Sequence, residues 1–213
     1  MRQKIIFIIV LLLVMATLPL AICKNFTKNL SKQTFSEKDK QSEIFNGNSQ
    51  DFTKETLASL VAAQYRDEYN EETLKAIAVI IHTNYKTKPD SFNFDDNDIY
   101  ISENDADSSL KENYYKIKTA VDGVYEKTLC QNDKAFYIPY SYLSNGTTKT
   151  DEEFPYIQNV ASPWDCYSNE YDEDSDCIGI SLYGLNYLCK KGYDYASALK
   201  WYLPDFEIKW IYI

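Results

Sequence analysis

The chain is short of histidine, arginine and glycine. It has one histidine, His82, and two arginines, Arg2 and Arg66, in 213 residues. A single imidazole leaves little room for a His-based catalytic dyad or for a histidine-rich metal site. Lys and Arg together number 22 against 32 Asp and Glu, giving a formal net charge of -10 and a pI of about 4.7. No basic stripe that could follow phosphates is present, which excludes nucleic acid as an expected partner. There is no Cys-x-x-Cys pair, so the cysteines do not form a zinc pattern. The acidic stretch around 90–107 lacks the glycine and terminal Glu of an EF-hand loop. No internal repeat occurs. Tyrosine, by contrast, is abundant at nineteen residues. Tyr packs cores and rims, and its apolar face and hydroxyl also suit stacking on sugar rings.

Arg2 and Lys4 precede an uncharged apolar run from Ile5 to Cys23. Its length suffices to span a bilayer, and the flanking charges place the N-terminus inside and the remainder outside. The segment 1–23 is therefore read as a membrane anchor of a single-pass protein with its domain outside the membrane. A cleaved signal peptide, giving a secreted protein, is the competing reading. Cys23 hints at lipoprotein processing, but the preceding Ile22 is bulky. Residues 24–54 read as a polar linker unable to offset the entropy of ordering. Residues 55–213 are a normal size for one domain, expected to be α+β: a single mixed domain of several helices and short antiparallel strands.

The clearest helix follows Asn70. Leu74, Ile77, Ala78, Ile81 and Tyr85 form one stripe at helical period, and Val79 and Ile80 make the opposite side apolar too. Asn70 is a suitable N-cap, with Glu71 and Glu72 in the first turn. A second helix is expected over Ser108–Tyr125, with Leu110, Tyr114, Ile117, Val121 and Val124 as its stripe. Alternation at Asp98–Ile101 predicts a short strand, as do Ala135–Ile138 and Tyr140–Leu143. Asn145-Gly146 predicts a hairpin turn. Leu182, Leu185 and Cys189 face one side of a third helix closed by Gly192. Asp194 caps a fourth, Pro204 stops it, and a strand begins at Phe206.

Three ordered blocks resemble the SpoIID/LytB family, named for stage II sporulation protein D and an amidase enhancer. The first is VAA at Val61–Ala63 with ETLKAIAV at Glu72–Val79. The second runs from AFYIPYSYLSNGTTKTDEEF, beginning at Ala135, into PYIQNVASPWD, ending at Asp165. The third, from Ser175 to Ile208, keeps Gly179, Ser181, Tyr183 and Gly184 of the closing signature His-Gly-x-Gly-x-Ser-Gln-Tyr-Gly. The resemblance implies an extracytoplasmic domain working on peptidoglycan in sporulation or wall remodelling. It implies glycan contacts at Tyr137, Ser141, Trp164, Ser181 and Tyr183, with a rigid turn and buried indole the alternative role for Pro163-Trp164. Its partners would be glycan strands, the membrane through the N-terminal segment, and sporulation or envelope proteins.

The departures fall at polar positions. Gln64 stands where the family's lytic transglycosylases carry their catalytic Glu, Ile138 replaces a His, Asp176 another His, Cys177 a Gly and Leu182 a Gln. The zinc-binding Cys/His insertion of many relatives is represented by Asp, Asn and Phe, so neither a metal nor another cofactor is implied. A side-chain amide near neutral pH can neither give nor take back the proton that glycosidic cleavage needs. The reading is a glycan-binding relative with a degenerate site. An active enzyme using Glu68 as a displaced acid is an alternative, with Asp67 and Glu71 weaker choices. Glu68 lies four residues from Gln64, on the same face if the region is helical. A third possibility is a membrane-anchored protein-interaction domain of an envelope complex. Among the cysteines, Cys166 and Cys177 flank the loop SNEYDEDSD, and a disulfide closing it is expected, with free buried thiols the alternative.

Overall fold

A computed structural model describes residues 52–94, 96 and 98–210. The expected membrane segment and nearly all of the expected linker lie outside these residues. No helix among the described residues is long and apolar enough to cross a membrane. The elements are a mixture of helices and small sheets, α+β as the composition of stripes and strands predicts. In order they are α1 (Lys54–Ala63), α2 (Glu71–Thr87), α3 (Ser108–Asp122), β1 (Lys127–Gln131), β2 (Lys134–Ala135), β3 (Tyr140–Ser141), β4 (Ile180–Ser181), α4 (Leu182–Lys190), α5 (Tyr195–Tyr202) and β5 (Glu207–Trp210). Short 3-10 turns lie at Pro89–Ser91 and Pro163–Tyr167.

Helix α2 is the centre. Asn70 caps it, its side-chain oxygen accepting from the Thr73 N–H at 2.9 Å. Lys75 pairs with Glu71 and Glu72 one turn back, at 2.7 and 2.8 Å. From Ala76 to Asn84 every residue is buried, because α1, α3, α4, α5 and β1 all pack on it. Residues just before 55 also pack onto the helices. The Phe52 ring stacks on Tyr85 at 3.8 Å, its carbonyl accepts from the Tyr125 hydroxyl, and Thr53 caps α1. Asp107 caps α3 through the Leu110 N–H at 2.8 Å, and Tyr114, Ile117, Ala120 and Val121 form its buried face.

The main sheet is antiparallel, in the order β2-β1-β5. Its hairpin turns at Asn132 and Asp133, both with positive φ (51° and 63°), the backbone of a tight two-residue hairpin. The hairpin expected at Asn145-Gly146 is not formed. There the chain makes only an isolated bridge, Thr147 to Ala161. The strand expected at Asp98–Ile101 is likewise absent. The Tyr100 N–H turns back to Asp96 and the Ile101 N–H goes to the Ser59 carbonyl on α1. The β3–β4 pair is parallel, Ser141 beside Ser181, a departure from the all-antiparallel expectation.

So few strands leave buried backbone groups in need of partners, and α2 supplies them from three consecutive side chains. The Asn84 amide donates to the Ile138 carbonyl at 2.8 Å and accepts from its N–H at 2.6 Å. Thr83 Oγ1 accepts from the Leu129 N–H at 3.0 Å and donates to Val79 O at 2.6 Å. His82 Nδ1 donates to the Lys127 carbonyl at 2.9 Å. An unpaired buried backbone group costs about 1–3 kcal/mol, so these bonds tie helix to sheet.

The second and third sequence blocks interlock. Buried Asp165 accepts from the Ser144 N–H (2.9 Å), the Ser144 hydroxyl (2.5 Å) and the Ser162 hydroxyl (3.0 Å). Ser162 also bonds the Tyr202 hydroxyl at 2.7 Å, and Trp164 Nε1 donates to that hydroxyl at 3.3 Å. Gly184 sits against this cluster. A Cβ there would come within 2.0 Å of the Tyr202 hydroxyl and 2.4 Å of both Ser162 Oγ and Trp164 Nε1. Gly179, at φ +84°, passes so close to Pro139 that a Cβ would meet its carbonyl oxygen at 2.1 Å.

Two stability experiments test these contacts. Burial holds the His82 imidazole below its ordinary 6.5, with the Lys86 charge adding to the effect. Unfolding restores 6.5, so the unfolded chain takes up this proton first. The contribution is whole above about pH 6.5 and is lost as pH falls toward the native value. The thermal midpoint should therefore fall more steeply between about pH 7.5 and pH 5 in the natural protein than in His82→Asn. Parallel curves would refute it. Separately, Gly184→Ala should cost about 1–3 kcal/mol in urea unfolding. Gly123→Ala, whose added Cβ meets nothing closer than 3.5 Å, should stay within about 0.5 kcal/mol of neutral. Equal losses at both positions would contradict the interlock.

Candidate functional site

Helix α1 ends at Ala63, and its last bonds tighten: the Gln64 N–H bonds Val61 O at 3.0 Å and the Tyr65 N–H bonds Ala62 O at 3.1 Å. Gln64 is the C-cap residue, at φ −96° and ψ 0°. From there the chain turns away through Tyr65–Tyr69 before Asn70 starts α2. This loop and β3 enclose a cleft of about 370 Å³ whose wall includes Gln64, Tyr65, Arg66, Tyr69, Tyr140, Ser141 and Tyr142. Gln64 also borders a smaller pocket of about 120 Å³ with Tyr137, Tyr140 and Asn84. Gln64 thus lines two cavities. A larger cavity, about 660 Å³, lies elsewhere, between α5 and β5, and none of the expected site residues borders it.

The cleft is aromatic with one cation. The Arg66 guanidinium lies 3.3 Å from the centre of the Tyr142 ring and pairs with Glu170 at 2.8 Å. Burial pushes the Tyr140 hydroxyl up to about 12 and the Tyr69 hydroxyl up further still. Both stay protonated and can donate at neutral pH. Tyr69 is only 4% exposed, and its hydroxyl is buried without a hydrogen-bond partner. Such an atom costs about 1–3 kcal/mol until something meets it. A ligand hydroxyl or amide entering the cleft could do so.

The expected site residues separate into two groups. Gln64 and Ser141 line the cleft, and Tyr137 lines the smaller pocket. Tyr183 adjoins the cleft edge-on to Tyr142, with ring centres 6.1 Å apart. Trp164 lies off the cleft, partly buried, stacked on Tyr187 at 5.3 Å and held by its indole N–H. Ser181 is not a ligand contact. It is fully buried, caps α4 by accepting from the Gly184 N–H at 3.1 Å, and lies 3.4 Å from the Tyr142 carbonyl. Ile138, where the family pattern has His, is a core residue with no exposed surface. Asp176 is at the surface, paired with Lys149.

Glu68 does not share a helical face with Gln64, because α1 has already ended. It is exposed in the following turn, lies 3.4 Å from the Tyr142 hydroxyl, and interacts electrostatically with Tyr65, Tyr69 and Tyr183. Asp67 is also exposed, and Glu71 is occupied with Lys75. The Cys166–Cys177 disulfide is absent: both are free thiols, as are Cys130 and Cys189. Cys177 is buried and hydrogen-bonds Ser141, and burial pushes its thiol up to about 12. Cys189, also buried and bonded to Thr73, is pushed up to about 11. Neither is a ready thiolate. Among the described residues no group of three or more His, Cys, Asp or Glu side chains could hold a metal ion.

Sequence reasoning missed Arg66, Tyr69, Tyr140 and Tyr142 as site residues. Arg66 did carry a signal, being the one arginine of residues 55–213. No protein-family model matches the chain, and no curated protein matches it. The likeness to SpoIID/LytB blocks rests on the residues quoted above.

Proposed function

We propose that this domain binds peptidoglycan glycan strands outside the membrane, in sporulation or wall remodelling, through a transglycosylase-like cleft that has lost its acid. The observation that carries the reading is the place of Gln64. It lines a cleft whose wall, among the described residues, holds no Asp or Glu. Cleavage of a glycosidic bond needs a proton donor against the leaving oxygen, and losing general acid-base help costs on the order of 100- to 10,000-fold in rate. Binding needs only shape, stacking faces and donors. About 370 Å³ falls within the usual range for ligand sites. Four tyrosines and a serine offer apolar faces and hydroxyls suited to an N-acetylated sugar, and Arg66 adds a cation.

Two measurements test this. The full-length natural protein should release no anhydro-muropeptides from purified cell wall, whereas Gln64→Glu should release them. Robust cleavage by the natural protein would reject the degenerate site. The natural protein should also co-sediment with purified wall. Tyr69→Phe should weaken that binding by about three- to tenfold, the worth of one hydrogen bond, without lowering stability, since the hydroxyl has no partner in the unliganded fold. Unchanged wall binding in Tyr69→Phe would remove this hydroxyl from the site, and no sedimentation at all would remove glycan.

A further inference from the structure

Beyond the cleft, a run of partly exposed aromatic residues leads away from it. Tyr142 lines the cleft, and Tyr183 stands edge-on to it at 6.1 Å and 88°. Tyr183 and Tyr187 are four residues apart on α4, on one face of the helix, near enough to interact electrostatically. Tyr187 stacks on Trp164 at 5.3 Å and 10°, and Trp164 meets Trp201 at 5.3 Å and 55°. Tyr167, 72% exposed, flanks Tyr187 at 6.2 Å. The row therefore starts inside the cleft and leaves it across α4 to α5.

We propose that this row, Tyr142–Tyr183–Tyr187–Trp164–Trp201, extends the Gln64 cleft into a multi-sugar track that holds one continuous glycan strand. It rests on the reading of the cleft as a glycan site. Three observations carry it. The row is continuous with the cleft, so the same polymer that enters the cleft meets it next. Its rings are held in place before any ligand arrives. The Trp201 indole N–H donates to the Ala161 carbonyl at 3.0 Å, and that of Trp164 donates to the Tyr202 hydroxyl, which is itself fixed by Ser162. Rings that are already ordered cost little further entropy on binding. Finally, Trp201 remains 41% exposed at the far end of the row. Anchored, partly exposed aromatic rings with polar edges match the alternating apolar faces and hydroxyl rims of a β-linked sugar chain. The buried clamp of Asp165, Ser144 and Ser162 thereby gains a second role, as the mount that fixes the angle between Trp164 and α4.

The test uses the full-length chain with the β-1,4-linked disaccharide and hexasaccharide of N-acetylglucosamine as probes, followed by tryptophan emission and calorimetry. The hexasaccharide should bind roughly tenfold more tightly than the disaccharide and should perturb the emission. Trp201→Ala and Tyr187→Ala should each remove about three- to tenfold of that advantage, leaving disaccharide binding as it was, while Trp201→Tyr should retain most of it. Equal affinity for the two lengths in the natural protein would overturn the track and leave the cleft standing. That comparison needs no variant to fold. An advantage that survives both alanine substitutions would also overturn the track, and would leave the row as a surface for a protein partner or for packing alone. Failure of both sugars to bind the natural protein would overturn the cleft reading, and the track with it.

Discussion

The structure depends on how buried backbone polar groups are satisfied in a domain with very little sheet. His82, Thr83 and Asn84 leave the end of the central helix and bond the backbone at Lys127, Leu129 and Ile138. The Asn84 amide presents a donor and an acceptor to Ile138 in the way a neighbouring strand would. Without these bonds the entry into β1 and the segment before β3 would carry unpaired groups in a dry interior, each costing far more than a surface contact gains. The central helix is thus an apolar core over most of its length and a polar suture at its C-terminal end.

That suture positions the candidate site. Fixing Ile138 fixes Tyr137 on one side and Pro139–Tyr142 on the other, and Pro139 in turn packs on Gly179. The β3–β4 pair then sets Tyr142 opposite the loop that follows α1. The cleft is the space left between a helix that stops at Gln64 and a strand held in place from behind. Arg66 closes one side by lying on Tyr142 while paired with Glu170 of the acidic loop. The Ile138 side chain joins the core while its backbone is held by Asn84.

Local chemistry in the sequence was enough to find α2, α3, α4 and α5, but not α1. Asn70 and Asp194 cap where their side chains predict, Gly192 takes its positive φ at the end of α4, and the apolar stripes of α2 and α3 are buried apart from Tyr85 and Leu110, which are partly exposed. These features are legible because a cap or a stripe involves residues three or four apart. The strands were less legible. Asn145-Gly146 has the stronger hairpin signature, yet the hairpin forms at Asn132-Asp133, where both flanking segments find partners in one sheet. A turn residue permits a hairpin, and only pairing of the flanks makes one.

The sequence by itself determined the α+β character, the caps that start α2 and α5, and the presence of an amide at position 64. Tertiary structure alone decided what those residues face. It took Glu68 off the helical face of Gln64 by ending α1 early, buried Ser181 as a cap, set Cys177 against Ser141 rather than Cys166, and gathered Tyr65, Arg66, Tyr69, Tyr140 and Tyr142 around one cleft. The physical reason is range. Caps and periodicity act over one helical turn, whereas a cleft is made by chain segments some seventy residues apart, brought together by burial that no local pattern encodes.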